Sequence, residues 1–101
     1  MKAIFDDISK KSSKIVTNAY STSFSLGIRF LDKELRNSIY AIYGFVRFAD
    51  EIVDSFHDFK REDLLTRFRK DAFIAIEDGI SLNPILNSFQ LTVNKYGIPF
   101  G

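Results

Sequence analysis

Tyr43, Arg47, Asp50 and Asp54 follow one another at spacings of four, three and four residues. On an α-helix, at about 100° per residue, those spacings gather all four side chains within an arc of roughly 60°. Two carboxylates one turn apart, in line with a guanidinium and a phenol, form a grip for a divalent cation and a phosphorylated ligand. Asp50 and Asp54 suit Mg²⁺, which keeps much of its water and prefers one or two carboxylates plus phosphate oxygens to a full protein cage. Carboxylates alone would repel a diphosphate, and a bound metal reverses the sign of that interaction. The plainer alternative makes Asp50, Glu51 and Asp54 a solvated helix edge. Arg47 is then an intrahelical ion-pair partner worth roughly a few tenths of a kcal/mol.

The helix that carries these residues is unusual. Asp32 is a good N-cap for it, with Glu34 in the first turn where the macrodipole favours negative charge. From there to about Phe56 it would run on the order of 37 Å. Ile39, Ile42, Val46, Ala49, Val53 and Phe56 occupy one flank, and Ala41, Phe45, Phe48 and Ile52 the far side. A helix apolar around most of its circumference is normally buried, yet unpaired charge in a dry core costs several kcal/mol per group. The conflict resolves if the charged stripe lines a wet cavity.

The remaining elements also read as helices, so the fold class is all-α. A first helix spans residues 5 to about 19, with Ile8, Ile15 and Val16 on its apolar side. A hydroxyl-rich segment from Tyr20 to Gly27 then makes a poor helix interior and a better bend or helix end. After a charged break at residues 57–63, a third helix carries Leu64, Leu65, Phe68, Ala72, Ala75 and Ile76 and stops at Gly79. Asn83 and Pro84 open a last helix with Leu86, Phe89, Val93 and Tyr96, which ends at Gly97.

Composition narrows the function classes. An apolar fraction of 46% with eleven Phe argues for a packed object. Fourteen basic and thirteen acidic side chains leave a net charge of +1 and no basic stripe, against nucleic-acid binding. The absence of cysteine removes disulfide frameworks and thiolate chemistry and is compatible with a reducing cytoplasm. The longest uncharged apolar stretch, residues 40–46, is far short of the roughly 20 residues that cross a bilayer.

Residues 20–54 resemble the squalene/phytoene synthase family, the head-to-head trans-isoprenyl diphosphate synthases, and bacterial phytoene synthases in particular. Two motifs carry the resemblance: Tyr20-Ser21-Thr22-Ser23-Phe24, and Asp50-Glu51-Ile52-Val53-Asp54 preceded by Tyr40-Ala41-Ile42-Tyr43-Gly44-Phe45-Val46-Arg47-Phe48-Ala49. It implies an isoprenoid-synthase-type helical bundle that joins two prenyl diphosphates, farnesyl or geranylgeranyl, through a cyclopropylcarbinyl diphosphate. It further implies Mg²⁺ on Asp50 and Asp54, diphosphate contacts from Ser21, Ser23 and Arg47, and a cavity lined near the reacting carbons by Phe24 and Tyr43. Carotenoid precursors are the expected product class, made in the cytoplasm with peripheral membrane contact because the product is a lipid. Ser21 and Ser23 as helix caps, and Phe24 and Tyr43 as plain core aromatics, are the structural alternatives. His57, the single histidine, reads as a surface residue, and the charged cluster from Lys60 to Arg69 as a solvated helix face.

The family's second aspartate-rich motif has no counterpart, since nothing acidic follows Asp78. The chain therefore reads as a truncated N-terminal part of such a domain, holding half a metal site and inactive alone. Its central helix needs more neighbours than three shorter helices provide, so a second copy or exposed apolar surface is expected in their place. The alternative is a non-enzymatic helical module that assembles or binds ligand.

Overall fold

The structure, a computed structural model, describes residues 1–21, 27–55 and 58–100. Among these residues there are four complete helices and no strand: α1 (Lys2–Tyr20), α2 (Lys33–Ser55), α3 (Arg61–Asp78) and α4 (Pro84–Tyr96). The all-α expectation holds, and the ends follow the expected chemistry. Asp32 Oδ1 accepts from the Leu35 N–H at 3.0 Å, and Asn83 Oδ1 accepts from Ile85 and Leu86 at 2.9 and 3.3 Å. Gly79 and Gly97 close α3 and α4 at φ 73° and 62°, left-handed conformations that favour glycine. Arg61 Nη1 donates to the Val53 carbonyl at 2.8 Å, so the start of α3 caps the end of α2.

α2 and α4 pack against each other and both touch α1 and α3. The two junctions differ in chemistry. On the α3 side the contact is aromatic: the Phe45 ring stacks on Phe89 at 3.9 Å between centroids and on Phe68 at 5.3 Å, while Phe100 meets Phe45 edge-on. Ala72, Ala75 and Leu86 fill the space beneath these rings.

On the α1 side the contact is polar, which corrects the expected orientation of the first helix. Ser9, Ser13 and Thr17 are its buried residues, whereas Ile8 and Ile15, expected to face the core, are 49% and 68% exposed. Ser9 and Thr17 donate to the carbonyls of Phe5 and Ser13 one turn back, which removes their hydroxyls' polarity from the interface. Their small size lets the helices come together: Gly44 of α2 faces Ser13, where a Cβ would make ordinary contact with Ser13 Oγ at 3.4 Å.

Asn87 locks this junction. Fully buried, it donates to Asp6 Oδ1 at 2.9 Å and Ser9 Oγ at 3.0 Å, and its own oxygen accepts from Gln90 at 3.1 Å and the Ser81 N–H at 3.2 Å. The chain of amides continues along α4, where Asn94 donates to Gln90 and to the Ile76 carbonyl at the end of α3. The hydrogen bonds to Asp6 from Lys2 and Asn87 outweigh desolvation, and its carboxyl lies below the ordinary value.

α2 is not enclosed as its composition suggests. Leu35, Ile42, Val46 and Val53 remain 38–49% exposed, although the Cα radius of gyration, 13.5 Å, is that of a packed unit of this length, about 13 Å. Among the described residues no helix is long and apolar enough to cross a membrane.

Asn87→Ala strands the partners of a buried amide and is expected to cost about 2 kcal/mol, lowering Tm by roughly 10 °C in a calorimetric scan. Gly44→Ala is expected to change stability by less than about 1 kcal/mol, because the added methyl only reaches contact distance and mid-helix glycine is itself unfavourable. Gly44→Leu should separate α1 from α2 and show a far larger loss in the same scan.

Candidate functional site

α2 places Tyr43, Arg47, Asp50 and Asp54 on one edge, as their spacing requires. Asp50 and Asp54 are exposed, while Tyr43 and Arg47 are part-buried. The edge borders the exposed apolar face of α2 on one side and the end of α1 on the other, so its two carboxylates sit in solvent while the part-buried Arg47 is paired with a neighbouring carboxylate.

Arg47 is held mainly by a residue outside the stripe. Its Nη2 donates to Glu51 Oε2 at 3.0 Å and lies 3.9 Å from Asp54 Oδ2. The guanidinium carbon stands 4.7 Å from the centre of the Tyr20 ring, an attraction between a cation and a ring face. The same Glu51 carboxylate also acts on the Tyr20 phenol, so one carboxylate serves both partners. Hydrogen bonds from Ser55 first, then Arg47 and Tyr20, hold the Glu51 carboxyl below its ordinary value against partial desolvation. Desolvation and the Glu51 carboxylate push the Tyr20 phenol up. For Arg47, desolvation works to lower the pKa and is outweighed by the hydrogen bond and charge of Glu51, so the net direction is up.

Glu51 and Tyr20 are the contributors that spacing alone did not bring out. The signal was present in the i,i+4 relation of Arg47 and Glu51, and the solvated-edge alternative contained that ion pair. What the sequence could not reveal is that α1 delivers Tyr20 to the same point.

Beside this cluster an open apolar groove of about 430 Å³ runs between the end of α1, α2 and α3. Tyr20, Phe48, Ile52, Leu64 and Phe68 line it together with the charged Glu51, Arg67 and Asp71. Asp50 and Asp54 stand outside it.

Ser21 terminates α1 with extended backbone, its N–H donating to the Thr17 carbonyl at 2.9 Å, next to Tyr20 and thus near the Arg47 cluster. Ser23, Phe24 and His57 lie outside the described residues. The charged run from Lys60 to Arg69 is largely exposed, as expected of a solvated face.

Among the described residues no group of three or more acidic or histidine side chains forms a metal cage. The donor set fits a hydrated ion: two exposed carboxylates one turn apart leave most coordination positions to water or phosphate oxygen, as Mg²⁺ prefers. Arg47 Nε is buried and has no acceptor among the described residues.

Comparison with known proteins bears on this arrangement directly. The family model described as Squalene/phytoene synthase matches residues 17–101, the segment that contains the Tyr20 cluster, the stripe and the groove. The chain belongs to the squalene/phytoene synthase family. Over 58 residues it is 38% identical to the presqualene diphosphate synthase of Zymomonas mobilis subsp. mobilis (strain ATCC 31821 / ZM4 / CP4), a match covering 57% of this chain and 20% of that protein. The chain thus spans about a fifth of the length of that relative. No solved structure matches it.

Glu51→Gln tests the cluster. A depressed carboxyl stabilises the fold above its unfolded value, 4.5, and that contribution is lost as pH falls through the lowered folded value. The native chain should therefore lose thermal stability over that acid range, and Glu51→Gln should show a shallower dependence there. Identical acid profiles for the two proteins, followed by calorimetry, would assign no role to the cluster.

Proposed function

We propose that the chain is the N-terminal part of a head-to-head prenyltransferase, and that its α2 edge and groove together take one allylic prenyl diphosphate. The observation that carries this reading is the juxtaposition: an exposed carboxylate pair and a part-buried arginine beside a largely apolar groove, all within the segment matched by the family. An amphiphile with a diphosphate head and a hydrocarbon tail has that same division of polarity.

Asp50 and Asp54 would hold Mg²⁺, and Arg47 would donate to the diphosphate while Glu51 and Tyr20 keep its guanidinium in place. Ser21 and Ser23 would add hydroxyl donors to the same group, with Tyr43 and Phe24 near the reacting carbons. When bound, the metal supplies Lewis-acid neutralisation of the charge that builds on the departing diphosphate. Phe48, Ile52, Leu64 and Phe68 keep water from the allylic carbons, where a cation would otherwise be captured. Coupling of two farnesyl or geranylgeranyl units through a cyclopropylcarbinyl diphosphate, toward squalene-type or carotenoid precursors, is the reaction assigned to the whole domain. The 101 residues alone are expected to bind without turnover, because one acidic pair would hold only part of the Mg²⁺ that neutralises a diphosphate's charge.

A binding or assembly module is the second reading, and the Arg47–Glu51 pair favours it: an arginine satisfied by its own helix needs no ligand. Titration calorimetry with a non-hydrolysable prenyl thiodiphosphate separates the two. Binding that requires Mg²⁺ and weakens at least about tenfold in Asp50→Asn and in Asp54→Asn supports the prenyltransferase reading. Affinity indifferent to both substitutions and to Mg²⁺ supports the module.

A further inference from the structure

A polar cleft of about 240 Å³ opens where α1, α2 and α4 meet. α1 lends it Lys10, the first two turns of α2 lend Glu34, Asn37 and Ser38, and α4 lends Ser88 and Lys95. The cleft lies apart from the charged stripe: Ser38 and Asp50 are separated along α2 by about 18 Å of helix axis.

One hydroxyl in its wall is left without a partner. Ser88 is 2% exposed, and its Oγ is buried with no hydrogen-bond partner among the described residues. A buried hydroxyl left unpaired destabilises the fold, and a ligand that reaches it recovers the loss. Ser38, by contrast, is satisfied: its Oγ donates to the Glu34 carbonyl at 3.2 Å and lies 3.4 Å from the Tyr96 hydroxyl.

The charges favour an anion. Lys95 is paired with Glu34, which offsets the carboxylate in the cleft. Lys10 attracts Asp6 and Asp7 on its own helix without bonding either, because those two carboxylates are held by Lys2 and Lys11. Lys33, at the start of α2, adds its charge beside Asp7. An ammonium with no ion pair of its own, an amide and an unpaired hydroxyl therefore line one cavity, and this is the donor set that a tetrahedral oxyanion takes.

We propose that the cleft binds a phosphate-class oxyanion, with Lys10 supplying the cation and Asn37 and Ser88 further donors. Lys10 and Ser88 are the chain neighbours of Ser9 and Asn87, so the anion ties α1 to α4 beside the amide lock. One net positive charge in an open cleft puts the dissociation constant at about 1 mM.

Titration calorimetry of the 101-residue chain with inorganic phosphate, without Mg²⁺ and at ionic strength matched with sodium chloride, should show saturable binding near that value. About 10 mM phosphate should raise Tm by roughly 5 °C. Lys10→Gln, at an exposed position, should weaken binding about tenfold and Ser88→Ala at least about threefold. Ser88→Ala should not lower Tm in the absence of phosphate, since it deletes an unpaired group. Lys14→Gln makes the same charge change elsewhere on α1 and should leave affinity within about twofold. Glycerol 3-phosphate is the second probe: tighter binding of phosphate assigns the cleft to the free ion, and tighter binding of the ester assigns it to a phosphate monoester. No saturation by either at about 20 mM overturns the proposal. So do equal losses in Lys10→Gln and Lys14→Gln, which would report only overall charge. Binding that survives Lys10→Gln and is lost in Arg47→Gln places the anion at the stripe and equally refutes the cleft. The titration contains neither Mg²⁺ nor a prenyl ligand, so its failure leaves the proposed function standing, and failure of that function leaves the cleft standing.

Discussion

The amide of Asn87 fixes the roll of α1, and much of the site depends on that roll. A helix whose buried face is Ser9, Ser13 and Thr17 gains little from apolar burial, so its orientation must come from directed contacts. Asn87 provides them by holding Asp6 and Ser9 at one end of α1. Gly44 then admits Ser13 to close approach at the middle. With the helix axis and its rotation both set, the last residue of α1 can stand in only one place: Tyr20 comes to lie against the Arg47 guanidinium. An interaction at the far end of the helix thereby positions a ring at the candidate site.

α2 joins two junctions of opposite character. Phe45 ties it to α3 and α4 by stacked rings, an adaptable contact whose strength comes from area. Gly44, one residue away, meets α1 through polar groups that demand specific geometry. The charged stripe runs along the boundary between the α1 junction and the open apolar face, which reconciles a largely apolar helix with three charged side chains. Neither junction requires those charges to be buried, and Glu51, between stripe and groove, is engaged by Arg47.

Sequence carried the helices well, because capping and termination are local chemistry. Asp32, Asn83, Gly79 and Gly97 each act where residue type and backbone preference put them. The edge formed by Tyr43, Arg47, Asp50 and Asp54 was equally legible, since it depends only on the period of one helix. Two things were not. The inward face of α1 defeated a reading by hydrophobic periodicity, which assigns isoleucine to the core and has no means of weighing Asn87, a partner some eighty residues away, against it. The Tyr20–Arg47–Glu51 cluster was hidden for a related reason: one of its members arrives from another helix, and its location follows from tertiary packing.

The outward isoleucines of α1 bear on how the chain reaches this fold. Ile4, Ile8 and Ile15 lie roughly half a turn from the buried hydroxyls. A rolled-over α1 would bury all three and leave the serines in water. Hydrophobic collapse, which is fast and undirected, favours that mispacked state, whereas the native one wins through hydrogen bonds that form only at correct registry. The energy landscape is accordingly frustrated at this single helix. Escape from the decoy takes no unfolding of α1, only its rotation in place, and Asn87 serves as the catch that stops the rotation at the native angle.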